Sequence, residues 1–214
     1  SFFICFITHK TIVMKRSQKQ MFASFDIETD GPDPIHNSML SIGVALFVSS
    51  KYDDITCINT FRINILPQTN AAPDPCCMRD FWSRFPTQWM SLQSDRVGPV
   101  VAMDNLSTWL TENTDTNSLR WVASPASVDW TFLKTYYSRY TSESKRFDIG
   151  FYCVCLDSML RSYMIYKKLR NRTTFMRSLV PENVAYTHDA LDDAIYQGWV
   201  YMRLRILLGR GITT

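Results

Sequence analysis

In Phe25-Asp26-Ile27-Glu28-Thr29-Asp30-Gly31, two carboxylates stand two residues apart at the end of an apolar run. Side chains of a β-strand alternate between its faces, so Asp26 and Glu28 share one face while Phe25 and Ile27 take the other. Neighbouring carboxylates repel unless a cation or a shared proton relieves them, and hard oxygen ligands suit Mg²⁺ or Mn²⁺. The competing reading is a solvated strand end with ordinary turn acids, which Asp30-Gly31-Pro32 also fits. Two more acidic stretches follow. Val128-Asp129-Trp130 comes after the apolar run from Leu119 to Ala123, and His188-Asp189-Ala190-Leu191-Asp192-Asp193-Ala194 opens a long apolar-periodic segment.

This order of acids, Asp-x-Glu, a lone Asp before a helix, then His-x4-Asp, resembles the DEDDh 3′→5′ exonuclease superfamily, which includes proofreading exonucleases and RNase T. The resemblance spans residues 21 to about 205. It implies that Asp26, Glu28, Asp129 and Asp193 hold two divalent metal ions, Mg²⁺ or Mn²⁺, that His188 is the general base, and that Thr29 and Asp30 contact substrate. The chemistry explains the residue types. A phosphodiester repels hydroxide, so attack needs cations at both the entering and the leaving oxygen, about 4 Å apart. A histidine titrating near neutrality can take the proton of the attacking water. Some relatives use a tyrosine as base. Tyr186 is close by, but the five-residue step to Asp193 fits His188. Asp193 is preferred to Asp189 and Asp192 because Ala190 and Ala194 reproduce the pattern His-x-Ala-x-x-Asp-Ala, and the flanking acids read as helix N-terminal charges. His36 reads as a loop residue, and His9 carries no pattern.

The stretch from Arg79 to Trp89 is similar to the Trp-Trp-x-x-Gln-type helix of phage and bacterial members. Trp82 is thereby a candidate for stacking on a terminal base, against the alternative that aromatics at helical spacing are core. Val128, where the family often has Phe, and the loop Ser124-Pro125-Ala126-Ser127 depart from the pattern.

The supporting elements read as α/β. Strands are expected at Met21 to Ile27, Met39 to Ser49 and Cys57 to Leu66, forming an antiparallel meander, then at Leu119 to Ala123 and Phe151 to Leu156. Helices are expected at Met78 to Phe85, Val100 to Asn113, Val128 to Tyr140, from Ser158 with Asp157 as N-cap, and from Asp189 to Leu208, stopped by Gly209 and Gly211. The resemblance implies an RNase H-like fold: a mixed five-stranded sheet, its first three strands antiparallel, with helices on both faces. Asp26 and Glu28 on the central strand, Asp129 at a helix start and Asp193 on the last helix can then meet at one sheet end.

Composition sets the wider limits. With 214 residues, 46% hydrophobic and 14% aromatic, the chain suits one globular domain, placed at 21–214 behind an extension at 1–20. A net charge of +3 is too mild to indicate nucleic acid by itself. Between Ser158 and Pro181, however, stand Arg161, Lys167, Lys168, Arg170, Arg172 and Arg177 with no acid, either a track for phosphates or a solvated face. The six cysteines lack the paired spacing of a zinc site, and free thiols suit a reducing, cytoplasmic compartment. Ser1 to Ile7 is apolar but too short to span a bilayer, and the basic Lys15 to Lys19 follows it, opposite to the order in a secretory signal. No membrane partner is expected, and a homodimer is left open, as is a phage or viral origin.

The leading expectation is a metal-dependent 3′→5′ exonuclease that releases nucleoside monophosphates from a single-stranded or frayed 3′ end of DNA or RNA. The alternative is a nucleic-acid-binding module on the same fold without cleavage. An endonuclease of the wider fold lacks support, because the His-x4-Asp pattern belongs to the exonucleases.

Overall fold

The computed structural model describes residues 21–49, 54–114 and 119–210. The expectations for residues 1–20, His9 and Cys5 among them, and for Gly211 lie outside the described residues. A mixed sheet has the order β3-β2-β1-β4-β5, built from β1 (Met21–Thr29), β2 (Met39–Ser49), β3 (Ile55–Asn64), β4 (Leu119–Ala123) and β5 (Cys153–Cys155). β1 pairs antiparallel with β2 and parallel with β4; β2–β3 is antiparallel and β4–β5 parallel. β1 is central and buried along nearly its whole length, which is why it reads as a continuous apolar run interrupted only by residues that do chemistry.

Helices cover both faces. On one, Ala23, Phe25 and Ile27 meet Met103, Leu106 and Leu110 of α3 (Pro99–Asn113) and Phe132, Leu133 and Tyr136 of α4 (Ala126–Tyr140). On the other, Phe22, Ala45, Phe47 and Val122 meet α5 (Leu156–Tyr166) and α7 (Ala190–Arg210), with α6 (Arg172–Ser178) beside them. Each fully buried Phe or Leu contributes about 1.5–3 kcal/mol. By strand alternation Asp26 and Glu28 belong to the α7 face.

α7 comes unusually close to that face. Gly43, directly opposite Asp26 in the β1–β2 register, has no room for a Cβ, which would overlap the backbone of Ala190 and Leu191. One face further along α7, a Cβ at Gly198 would overlap the Phe47 ring. Small residues on both partners set the depth of the helix that carries Asp193.

Several boundaries differ from expectation, each for a local reason. The single helix expected at Met78 to Phe85 is α1 (Pro75–Asp80), a 3-10 turn at Trp82–Arg84, and α2 (Pro86–Ser91). Pro75 and Pro86 both sit at a helix start, and a residue before proline disfavours helical backbone. β5 is only three residues long because Phe151 and Tyr152 are solvent-exposed instead of paired. The N-cap of α5 is Cys155, so Asp157 lies in its first turn and pairs with Arg161 and Arg172, each at 2.7 Å. Gly209 does not end α7, which continues to Arg210. No described helix is long and apolar enough to cross a membrane.

Candidate metal centre and catalytic cleft

The C-terminal end of β1 brings Asp26 and Glu28 under the first turn of α7, where Asp193 projects. Carboxylate oxygens of Asp26, Glu28 and Asp193 all lie within 4.8 Å of one another, and all three residues are buried. Asp129, in the first turn of α4, is outside that close group but lines the same cleft, of about 440 Å³, together with the other three acids and His188. One Asp129 oxygen, Oδ2, is buried without a hydrogen-bond partner among the described residues. Four buried carboxylates with no lysine or arginine among the cleft-lining residues form a donor set fitted to divalent cations.

Electrostatics agrees. Burial, and then the carboxylates of Asp129, Glu28 and Asp193, push the Asp26 pKa well above the usual range. Burial, and then Asp193, Asp189 and Asp129, raise Glu28 likewise, opposed by Arg62. Asp129 and Asp193 are each pushed up to about 7, mainly by burial. Without cations these acids cannot all stay ionised, so occupancy by metal must expel protons.

Neighbouring groups orient the acids. Gln197, one turn beyond Asp193 on α7, donates its amide N–H to Asp26 Oδ1 at 2.6 Å. The Thr187 backbone N–H donates to Asp193 Oδ1 at 2.8 Å. Asp189 accepts from the backbone N–H of Leu191 at 3.0 Å, as a helix-opening acid does, and pairs with Arg62 at 2.7 Å. Asp192 accepts from the Thr187 hydroxyl at 2.8 Å. Neither flanking acid belongs to the close carboxylate group.

His188 lines the cleft from a left-handed backbone position, φ 60°. Its ring sits among Phe85, Phe81 and Tyr186, with centroids 4.2, 5.1 and 5.2 Å away. Burial, and then Arg84, lower its pKa, which favours the neutral imidazole, the form able to accept a proton. Tyr186 lines the same cleft, but burial and the carboxylates of Asp26, Asp193 and Glu28 push its pKa far up, so its hydroxyl stays protonated.

Of the residues expected to touch substrate, Thr29 lines the cleft. Asp30 does not: it is buried, and its carboxylate accepts from the Ser38 backbone N–H, pinning the chain between β1 and β2. Trp82 is also corrected. It is 2% exposed, packs with Leu40 and Leu92, and donates its indole N–H to the Thr29 carbonyl at 2.9 Å. The 3-10 turn aims it into this small core, and the adjacent Phe81 lines the cleft instead. Sequence reasoning missed Gln197 and the aromatic box of His188. Gln197 was within reach, since residues four apart share a helix face; the box depends on α1 and α2, whose break at Pro86 decides which rings face inward.

Comparisons with known proteins bear on the fold and the class of activity. Residues 21–204 match the family described as the 3′-5′ exoribonuclease Rv2179c-like domain. The 3′-5′ DNA exonuclease Cap18 of Escherichia coli is 24% identical over 187 residues, covering 87% of this chain and 92% of that protein. Among solved structures, cell-death related nuclease 4 (CRN-4) aligns over 88% of this chain with a TM-score of 0.61 and 16% identity. E. coli Exonuclease I in complex with a dT13 oligonucleotide aligns over 90% with a TM-score of 0.59 and 12% identity. The chain spans 64% of the CRN-4 chain and 43% of that Exonuclease I chain, and these two likenesses bear on the fold alone.

Proposed function

The chain belongs to the 3′-5′ exoribonuclease Rv2179c-like domain family, within the DEDDh-type 3′-5′ exonuclease superfamily, and from that premise we propose that it hydrolyses the terminal phosphodiester of a single-stranded 3′ end by a two-metal route with His188 as general base. The observation that carries this reading is the group of buried carboxylates of Asp26, Glu28 and Asp193 within 4.8 Å, with Asp129 and His188 in the same cleft. Asp26, Glu28, Asp129 and Asp193 would hold the ions. When bound, divalent cations supply the positive charge that offsets the phosphodiester and stabilises its entering and leaving oxygens.

The chain's own groups do the rest. Gln197 fixes the Asp26 carboxylate and the Thr187 N–H fixes Asp193, so the cation positions are set before substrate arrives. His188 takes a proton from water as its oxygen attacks phosphorus; the P–O3′ bond breaks, the upstream nucleotide's 3′-oxygen takes a proton from solvent, and the terminal nucleotide leaves as a 5′-monophosphate. The aromatic box favours the uncharged imidazole for that task. A binding module without cleavage would have no use for a histidine beside four acids that demand cations.

The test is digestion of matched DNA and RNA oligonucleotides carrying either a 5′ or a 3′ label, in Mg²⁺, Mn²⁺ or EDTA. Stepwise shortening of the 5′-labelled strand, with the 3′ label released as mononucleotide and no reaction in EDTA, is expected on at least one sugar. Cleavage that persists in EDTA, or none on either sugar, would overturn the reading. The relatives divide between RNA and DNA in their descriptions, and the matched pair decides the sugar directly.

A further inference from the structure

We infer that the cavity between α6 and α7, beside the carboxylates, is a subsite for the backbone phosphate one nucleotide upstream of the scissile bond, recognised by Arg172. The inference rests on the exonuclease reading above. The cavity measures about 360 Å³ and is walled by Arg172, Thr173 and Met176 of α6, by Gln197 of α7, and by Ser124 and Tyr186. Ser124 and Tyr186 also line the catalytic cleft, so the two spaces adjoin across them.

Unspent polar capacity marks this cavity. The Arg172 Nη2 donates to Asp157 at 2.7 Å, but its Nε is buried without a partner among the described residues. Burying a donor unpaired is costly, and an acceptor entering the cavity would remove that cost. Charge points to an anion as the acceptor. Arg172 is the one charged residue among those lining the cavity, and its partner Asp157 is shared with Arg161.

Polarity of the reaction places that anion. A chain entering 3′ end first puts its last phosphodiester at the carboxylates and carries one further phosphate per nucleotide on the upstream side. The catalytic cleft is lined by no lysine or arginine, so that next phosphate must find its counter-charge beyond it. The adjoining cavity supplies one in Arg172, whose planar fork suits phosphate oxygens. The exposed Lys167, Lys168 and Arg170 lie just before Arg172 in the chain, with Lys167 over the exposed Tyr166 ring at 4.9 Å, so basic and aromatic surface continues outward from the cavity.

The experiment compares kcat/KM in Mn²⁺ for two dinucleotides, one with a 5′-hydroxyl and one with a 5′-phosphate, which differ only in the upstream phosphate. The wild type should favour the 5′-phosphorylated form by on the order of tenfold or more, the scale of a hydrogen bond to a charged group. Arg172→Ala should bring the ratio close to one, and Arg172→Lys should restore part of it. Asp157→Asn, which breaks the same ion pair but keeps the guanidinium, should retain the preference. A wild-type ratio near one overturns the inference while leaving the exonuclease reading intact, and so does equal loss of preference in Arg172→Ala and Asp157→Asn, which would make Arg172 structural. A wild type inert toward both dinucleotides and longer strands overturns the exonuclease reading itself.

Discussion

The His188 imidazole, held by three aromatic rings at the edge of an acidic cluster, is the proposed general base. His188→Ala should lower turnover by about 10²–10⁴-fold, the usual worth of a positioned base, with metal binding retained. Because burial and Arg84 lower the His188 pKa, its base form is present from below the ordinary histidine range upward. The wild-type rate should therefore rise through a limb on the acid side of pH 6.5, and the variant should lack that limb; coincident pH-rate profiles would remove His188 from the mechanism. Gln197 acts one step back. Gln197→Leu should weaken Mn²⁺ affinity by about 10–100-fold without unfolding the chain, read by titration, because the Asp26 carboxylate would lose its orienting donor. Asp26 and Glu28 were legible in the sequence because a period of two fixes their common face, and His188 and Asp193 because their spacing matches a family pattern. Asp30 was not, since nothing in the chain order says that its carboxylate turns back to Ser38.

At the scale of elements, the site depends on how deeply α7 sits on the sheet. Gly43→Ala would drive a methyl group into the backbone of Ala190 and Leu191, which opens the helix carrying Asp193. Overpacking of this kind costs about 1–3 kcal/mol, so a lower Tm is expected. The displaced helix end should also reduce kcat with weakened metal binding, although no ligand has changed; a variant with normal Tm and turnover would show that the close approach is dispensable. The central strands and α3, α4 and α7 could be read from periodicity because their apolar faces are long. β5 could not, since an apolar run does not reveal whether it is covered: Phe151 and Tyr152 belong to the run yet face solvent. The single helix expected at Met78 to Phe85 is instead α1, which starts earlier at Pro75 and ends at Asp80, followed by a 3-10 turn, because proline at the first helical position sets a start that apolar spacing alone does not reveal.

For the whole molecule, four acids with raised pKa values tie stability to pH and to cations. A carboxyl whose folded pKa exceeds its unfolded value stabilises the protein at low pH and loses that contribution as pH rises through the folded pKa. For Asp129 and Asp193 the ordinary value is 3.8 and the folded value about 7, so the metal-free protein should lose stability across that window. Mn²⁺, which binds the ionised forms, should raise Tm far more at pH 8 than at pH 5, and Asp193→Asn should flatten the metal-free pH dependence; a Tm profile indifferent to both would contradict the electrostatics. The sequence made the RNase H-like order and the acids legible together because they obey one logic, in which residues far apart in the chain converge at one sheet end. The central claim is that this convergence holds two ions, and electron paramagnetic resonance of Mn²⁺ titrated into the protein at pH 8 tests it most directly. Two bound ions per chain are expected for the wild type, with at least one lost in Asp26→Asn together with all cleavage. A wild type that binds no Mn²⁺, or an Asp26→Asn variant with undiminished occupancy and cleavage, would contradict it.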